Sequence, residues 1–233
     1  LRRARFVLVR DRRSVGVCAE LGGADRCRED RDIGFYLPDL LPPLRPKTAP
    51  AAAPQIVVAL RAGAEHQSYY PFGAAEVESL ARALDIAVTR TGALVRFLPF
   101  QGGPQADAAL HERVAERMRH RERSELLEWT DDLRSMLDTM QDSHLIVGMR
   151  LHACILGLAL GRPVVALPYD VKVDEFVSQE PSVRAVRTEV LRDPDRLAEL
   201  ILGSMSQPDA TAAPRYRWAD SELSQLRLGQ PGR

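Results

Sequence analysis

The sequence predicts an α/β protein built on a Rossmann-like parallel sheet. Three observations carry that reading. Short β-type runs alternate with segments of helical periodicity from residue 55 onward, and the β-type runs are apolar on both faces, as strands sandwiched between helices must be. Parallel strands joined through helices cross over right-handed, which makes the arrangement Rossmann-like.

Taken in order, residues 6–10 form a short β-type run, and Asp11 is placed to cap a helix that ends at Leu21-Gly22-Gly23. Residues 33–37 read as another extended segment. Residues 38–54, PDLLPPLRPKTAPAAAP, hold six prolines and four alanines in seventeen positions, a composition that prevents regular structure and marks a linker.

Residues 55–60 read as a buried strand, and Val77, Leu80, Ala81 and Leu84 then fall on one face of a helix. Residues 94–98 form the next strand. In GGPQADAALHERVAERM, Pro104 suits a first helical turn, and Leu110, Val114 and Met118 recur every four residues. Residues 126–129 read as a short strand. Thr130-Asp131-Asp132 opens a helix carrying Leu133, Met136, Leu137 and Met140 on one side, its acids at the positive end. Strands at 144–148 and 163–167 flank a further helix, and Asp193-Pro194 starts a last one through Leu202.

Lys+Arg and Asp+Glu both number 32, so the formal net charge is zero, which argues against a general nucleic-acid binder. A hydrophobic share of 45% with 27% charged residues is ordinary for a core-forming protein. The longest uninterrupted apolar run, residues 153–160, falls far short of the ~20 residues a membrane span needs. Cys18, Cys27 and Cys154 are odd in number and lack CxxC spacing, so neither a disulfide framework nor a zinc site is supported and a reducing compartment fits. No other ligand spacing is present, so no metal is expected. The chain opens without Met on a strand-like run, as if inside a larger fold.

The chemistry concentrates in IVGMRLHACILGLALGRPVVALPYDVKV, residues 146–173. Arg150 and His152 stand where strand gives way to helix, in an otherwise apolar run. Charge buried there is costly unless something offsets it. At the carboxyl end of a strand the helix N-terminus favours an anion, an arginine adds a planar fork for phosphate or carboxylate, and a histidine can exchange a proton near neutral pH. The other reading pairs Arg150 with a core carboxylate and leaves His152 a satisfied buried histidine.

This stretch resembles the polysaccharide pyruvyl transferase family, in which a GMRLHA turn precedes an apolar helix, a G-x-PVVAL block and YDxKV. The corresponding residues are 148–153, 161–167 and 169–173. Collinear with them, VRDRRS at 9–14 resembles the family's VRD-x-x-S element, VVALRAG at 57–63 its strand ending in arginine, and FLPFQGGPQAD at 97–107 its strand and loop with a later Asp, here Asp107. The family's glycine-rich amino-terminal half has no counterpart, and its DPAF element is replaced by Asp32-Ile33-Gly34-Phe35.

The resemblance implies the carboxyl-terminal half of a GT-B-type two-domain transferase. Residues 1–37 would be a remnant of the amino-terminal domain, 38–54 the linker, 55–206 the Rossmann-like donor-binding domain and 207–233 a polar tail. It implies phosphoenolpyruvate as donor substrate, no cofactor, and a sugar or lipid-linked glycan as acceptor in cell-wall or surface polysaccharide, including the kind that anchors a surface layer. The product would be a pyruvate ketal, and the enzyme would be cytoplasmic, peripheral at the inner membrane face. The expected partners are the missing amino-terminal Rossmann domain and further copies in a homo-oligomer.

Phosphoenolpyruvate carries about three negative charges, so at least two cationic clamps are expected. Arg150, with Leu151 beside it, and Arg61 take that role, and His152 is the expected proton donor. Lys172 is a third cation or a lysine whose stem covers apolar surface. Tyr169 and Asp170 line the acceptor side, or Asp170 caps a helix. His66 reads as part of a surface loop. Two alternatives share the composition: a GT-B sugar-nucleotide glycosyltransferase or epimerase, and a non-catalytic glycan-binding fragment.

Overall fold

The computed structural model describes residues 4–41, 53–61, 72–103, 107–167, 169–206 and 224. The readings of Pro104 and His66, and of most of 38–54 and 207–233, lie outside the described residues. The chain divides into two compact units, Leu1–Pro43 with Arg215–Arg233, and Leu44–Pro214.

In the first unit, β1 (Val7–Val9) pairs in parallel with β2 (Cys27–Glu29) through α1 (Arg12–Glu20). Asp11 caps α1 by accepting from the Ser14 amide at 2.7 Å and its hydroxyl at 2.9 Å. Residues 33–37 are not extended: Ile33–Tyr36 forms a 3-10 helix, and α2 (Leu37–Leu40) continues it. The cause is local, because the Asp32 carboxylate accepts from the Gly34 amide at 2.9 Å and starts a turn. Pro38, expected to break structure, occupies the first turn of α2, where its missing N–H goes unnoticed. Cys18 and Cys27, on α1 and β2, lie side by side as free buried thiols, and burial together with the Cys18 thiol raises the Cys27 pKa.

The second unit is a six-stranded sheet in the order β5-β4-β3-β6-β7-β8, every neighbouring pair parallel. Its strands are β3 (Gln55–Ala59), β4 (Leu94–Phe97), β5 (Ser124–Leu126), β6 (Leu145–Gly148), β7 (Val164–Ala166) and β8 (Arg184–Ala185). The helices are α3 (Ala74–Thr91), α4 (Ala108–Arg117), α5 (Leu133–Gln141), α6 (Leu151–Ala159), α7 (Val171–Gln179), α8 (Thr188–Leu191) and α9 (Pro194–Met205). No described helix is long and apolar enough to cross a membrane.

The central strands are buried throughout, and Ile56, Leu60, Phe97, Leu145 and Ile146 fill the space between sheet and helices. Each such side chain contributes roughly 1.5–3 kcal/mol of hydrophobic stabilisation. On α3 the expected face, Val77, Leu80, Ala81 and Leu84, is buried, and α9 packs against this helix. Glu76 near its start is also buried. Burial opposes its charge, but Arg192 at 2.7 Å and the Gly73 amide at 2.8 Å outweigh that and hold its pKa below the ordinary value. Asp132 and Asp193 cap α5 and α9.

The strand expected at 126–129 starts two residues earlier and ends three earlier, at Ser124–Leu126. Leu126 closes β5, and Leu127-Glu128-Trp129 leave it as a loop, with Leu126 and Trp129 about half exposed. Hydrophobicity alone marked the loop as strand.

Candidate functional site

From β3 the chain builds the sheet outward through β4 and β5 on one side, and from β6 through β7 and β8 on the other. The order therefore reverses between β3 and β6. At such a reversal the segments leaving the two strands diverge and open a crevice at their carboxyl ends. Ala59 and Gly148 face each other across these strands, and Arg61 and Arg150 each follow two residues later. The register thus delivers both arginines to the turning point. The amides of Met149 and Arg150 donate to the Ala59 carbonyl at 2.8 and 3.3 Å, tying the two exits together.

Gly148 is required by close approach. A Cβ there would meet Cys154 Sγ at 2.7 Å, so only glycine lets α6 turn back tightly against the end of β6. Burial pushes the Cys154 thiol up to about 12, which makes it an inert core group. Arg150 is the residue before α6, and the helix has no side-chain cap. A helix start without a side-chain cap is a place that favours an anion. His152 is exposed in that first turn, whereas Leu151 is half-buried.

Arg150 does not stand alone. Its Nε donates to Asp107 Oδ2 at 3.1 Å, its Nη2 donates to Asp107 Oδ1 and, at 2.7 Å, to Gln101 Oε1. Asp107 is fully buried, and its Oδ2 also accepts from the Phe100 and Gln101 amides at 3.0 and 3.1 Å. Of the two surroundings open to Arg150 from sequence, the structure contains the core carboxylate. The same carboxylate pins the loop that leaves β4, so Asp107 sets both the loop and the arginine.

Arg61 has a neutral partner instead. Its Nη1 donates to the Tyr169 hydroxyl at 2.7 Å, and its guanidinium carbon lies 4.8 Å from the centre of the Tyr169 ring. Tyr169 follows β7, so three adjacent strands supply Arg150, Arg61 and Tyr169 to one edge. Asp170 caps α7 by accepting from the Lys172 amide at 3.1 Å, and Lys172 is exposed in that helix's first turn.

Sequence reasoning missed His111. It lies one helical turn after Asp107, is buried, and its Nε2 accepts from the Leu60 amide at 2.9 Å, immediately before Arg61. Burial lowers its pKa to about 4, with Asp107 pulling it upward and Arg150 pushing it down. The ring is therefore neutral with its proton on Nδ1. The i, i+4 spacing of Asp107 and His111 on a predicted helix was the available signal. Among the described residues no group of His, Cys, Asp or Glu is placed to hold a metal ion.

A family model for polysaccharide pyruvyl transferases matches residues 1–171. The chain belongs to the polysaccharide pyruvyl transferase family. No curated protein matches the sequence closely. Solved structures resemble it in fold. A Listeria monocytogenes protein assigned as a UDP-N-acetylglucosamine 2-epimerase superposes with a TM-score of 0.64 at 14% identity, covering 92% of this chain and 56% of the other. S. aureus MnaA, in a co-structure with UDP, gives 0.63 at 10% identity, covering 88% and 53%. The Methanocaldococcus jannaschii UDP-GlcNAc 2-epimerase, in complex with UDP-GlcNAc and UDP, gives 0.57 at 9% identity, covering 88% and 56%. This pyruvyl transferase family chain spans about half the length of each. At such identities the likeness is one of fold alone, an α/β architecture built on a parallel sheet.

Proposed function

We propose that the chain binds phosphoenolpyruvate at the ends of β3 and β6 and transfers its pyruvyl group to two hydroxyls of a sugar in a cell-wall or surface polysaccharide. One observation carries the reading: the block GMRLHA, the part of the sequence most specific to the family, sits at the point where the sheet order reverses.

The chemistry suits the groups present. Arg61, whose partner is uncharged, keeps its full positive charge for the donor's phosphate or carboxylate. Arg150 is neutralised by Asp107 but leaves its Nη1 edge without a partner among the described residues, so it contributes geometry more than net charge. The uncapped start of α6 adds backbone donors.

His152 Nδ1 or Nε2 delivers a proton to the methylene carbon, leaving C2 electron-poor. A sugar hydroxyl oxygen bonds to C2 and returns a proton to the imidazole. The second hydroxyl then bonds to C2 as the C2–O bond to phosphate breaks, and its proton leaves with the phosphate. The products are a ketal and inorganic phosphate.

The activity requires the second Rossmann-like half, so the assay uses the longest natural polypeptide containing this chain, with phosphoenolpyruvate and glycan precursors, followed by phosphate release. His152→Ala is expected to lower turnover roughly 10²–10⁴-fold while donor binding persists. Normal turnover in that variant would remove the proton-donor role. Stabilisation by UDP-GlcNAc and not by phosphoenolpyruvate in a thermal-shift titration would move the assignment to sugar-nucleotide chemistry.

A further inference from the structure

Beside the donor crevice, at the carboxyl end of β5, lies a pocket of about 290 Å³ whose lining includes His111, Glu112, Leu126, Glu128 and Trp129. Trp129 is 50% exposed, a large apolar surface left open to water. Its ring is nevertheless held in place. A Cβ at Gly102 would fall 2.6 Å from Trp129 Cδ2, so the absence of a side chain at 102 lets the indole rest directly on the loop backbone. That loop is the one Asp107 pins, and the preceding residue, Gln101, is bonded to Arg150. The residue under the indole, Gly102, and the residue bonded to Arg150, Gln101, are thus neighbours in sequence.

The charge of the pocket narrows what could fill it. Glu112 and Glu128 are exposed, and neither has an ion-pair or hydrogen-bond partner among the described residues. Among the described residues no lysine or arginine lines the pocket. A phosphate, carboxylate or nucleoside diphosphate would be repelled by the two carboxylates and find no cation among the described lining residues. A neutral molecule rich in hydroxyls meets two carboxylates able to accept from O–H groups and an aromatic face against which C–H groups can lie.

We infer that Trp129 is the platform of a neutral-saccharide subsite that holds one pyranose ring of the acceptor glycan. The inference deepens the pyruvyl transfer reading by naming the acceptor's contact, but binding alone tests it.

The experiment is saturation-transfer NMR on the 233-residue chain with methyl β-glucopyranoside, methyl β-galactopyranoside and methyl α-mannopyranoside, alongside methyl β-glucuronide, with phosphoenolpyruvate titrated separately. At least one neutral pyranoside is expected to bind saturably, and the glucuronide at least threefold more weakly than the glucoside. Trp129→Ala should weaken the bound sugar at least tenfold and Trp129→Phe less than threefold. Gly102→Ala, which displaces the ring without removing it, should weaken it at least threefold. No saturable binding by any neutral pyranoside, or unchanged affinity in Trp129→Ala, would overturn the inference. Loss of sugar binding with intact phosphoenolpyruvate binding sinks the subsite alone; sugar binding without donor binding supports it and sinks the donor assignment.

Discussion

The ends of β3 and β6 leave the sheet at the same level, each presenting an arginine two residues past a paired position, yet the two arginines live in opposite surroundings. Arg150 has 17% of its side chain exposed and is held by a fully buried carboxylate, whereas the Arg61 guanidinium, among the described residues, meets the hydroxyl and ring of Tyr169. A buried charge paired in this way is fixed and electrically silent, while one beside a phenol keeps its charge for a ligand. On the proposed reading, residues of the same type, equivalent by register, divide the work: Arg150 would shape the crevice and Arg61 would attract the anion.

The largest test of that division is Asp107→Ala. Removing the carboxylate strands the Arg150 charge and leaves the Phe100 and Gln101 amides without their acceptor, and should cost about 3–5 kcal/mol in urea unfolding. A loss under about 1 kcal/mol would show that the pair is not the fixed element described. For the same reason Arg150→Ala is a poor probe of binding, since it leaves Asp107 charged and unpaired.

Next in size is the pH dependence contributed by His111 on the shared helix. Its folded pKa is about 4 against an ordinary 6.5, so below pH 6.5 the unfolded chain binds a proton that the folded chain refuses. Stability from this group is intact above pH 6.5 and falls toward pH 4, by about 3 kcal/mol in all. Urea midpoints measured from pH 7.5 to 4 should show that slope, and His111→Gln should flatten it.

Arg61→Gln sharpens the comparison from the other side. It should change stability by less than about 1 kcal/mol yet weaken phosphoenolpyruvate at least tenfold in calorimetry, because only a neutral partner is lost from the fold. Unchanged affinity would reverse the division of labour. Smallest of all, Tyr169→Phe removes one 2.7 Å hydrogen bond and keeps the ring, so a few-fold weakening of the donor is expected.

The sheet was legible because β3, β6 and β7 are apolar runs buried on both faces, and the helix faces because Val77, Leu80, Ala81 and Leu84 repeat at the right spacing. What stayed hidden has specific causes. β2 is three residues, Cys-Arg-Glu, with two of them exposed, so it carries no hydrophobic signal. Leu126-Leu127-Glu128-Trp129 has strand composition but serves a loop and a pocket wall. The candidate site was half legible. Arg150 and His152 announce themselves as polar residues in an apolar run, but Asp107 is 43 positions from Arg150, and only the crossover through β4 and α4 brings the two together. Spacing could suggest His111 on the face of Asp107; nothing local could show that its ring holds the amide before Arg61.

Cys154, packed against Gly148 at the root of the helix that carries His152, has one more use. Buried and protonated, it is silent toward alkylating reagents until that helix lifts from the strand end. The rate at which a maleimide reaches it, located by mass spectrometry, becomes a clock for opening of the proposed donor edge, and a donor that clamps that edge should slow the clock.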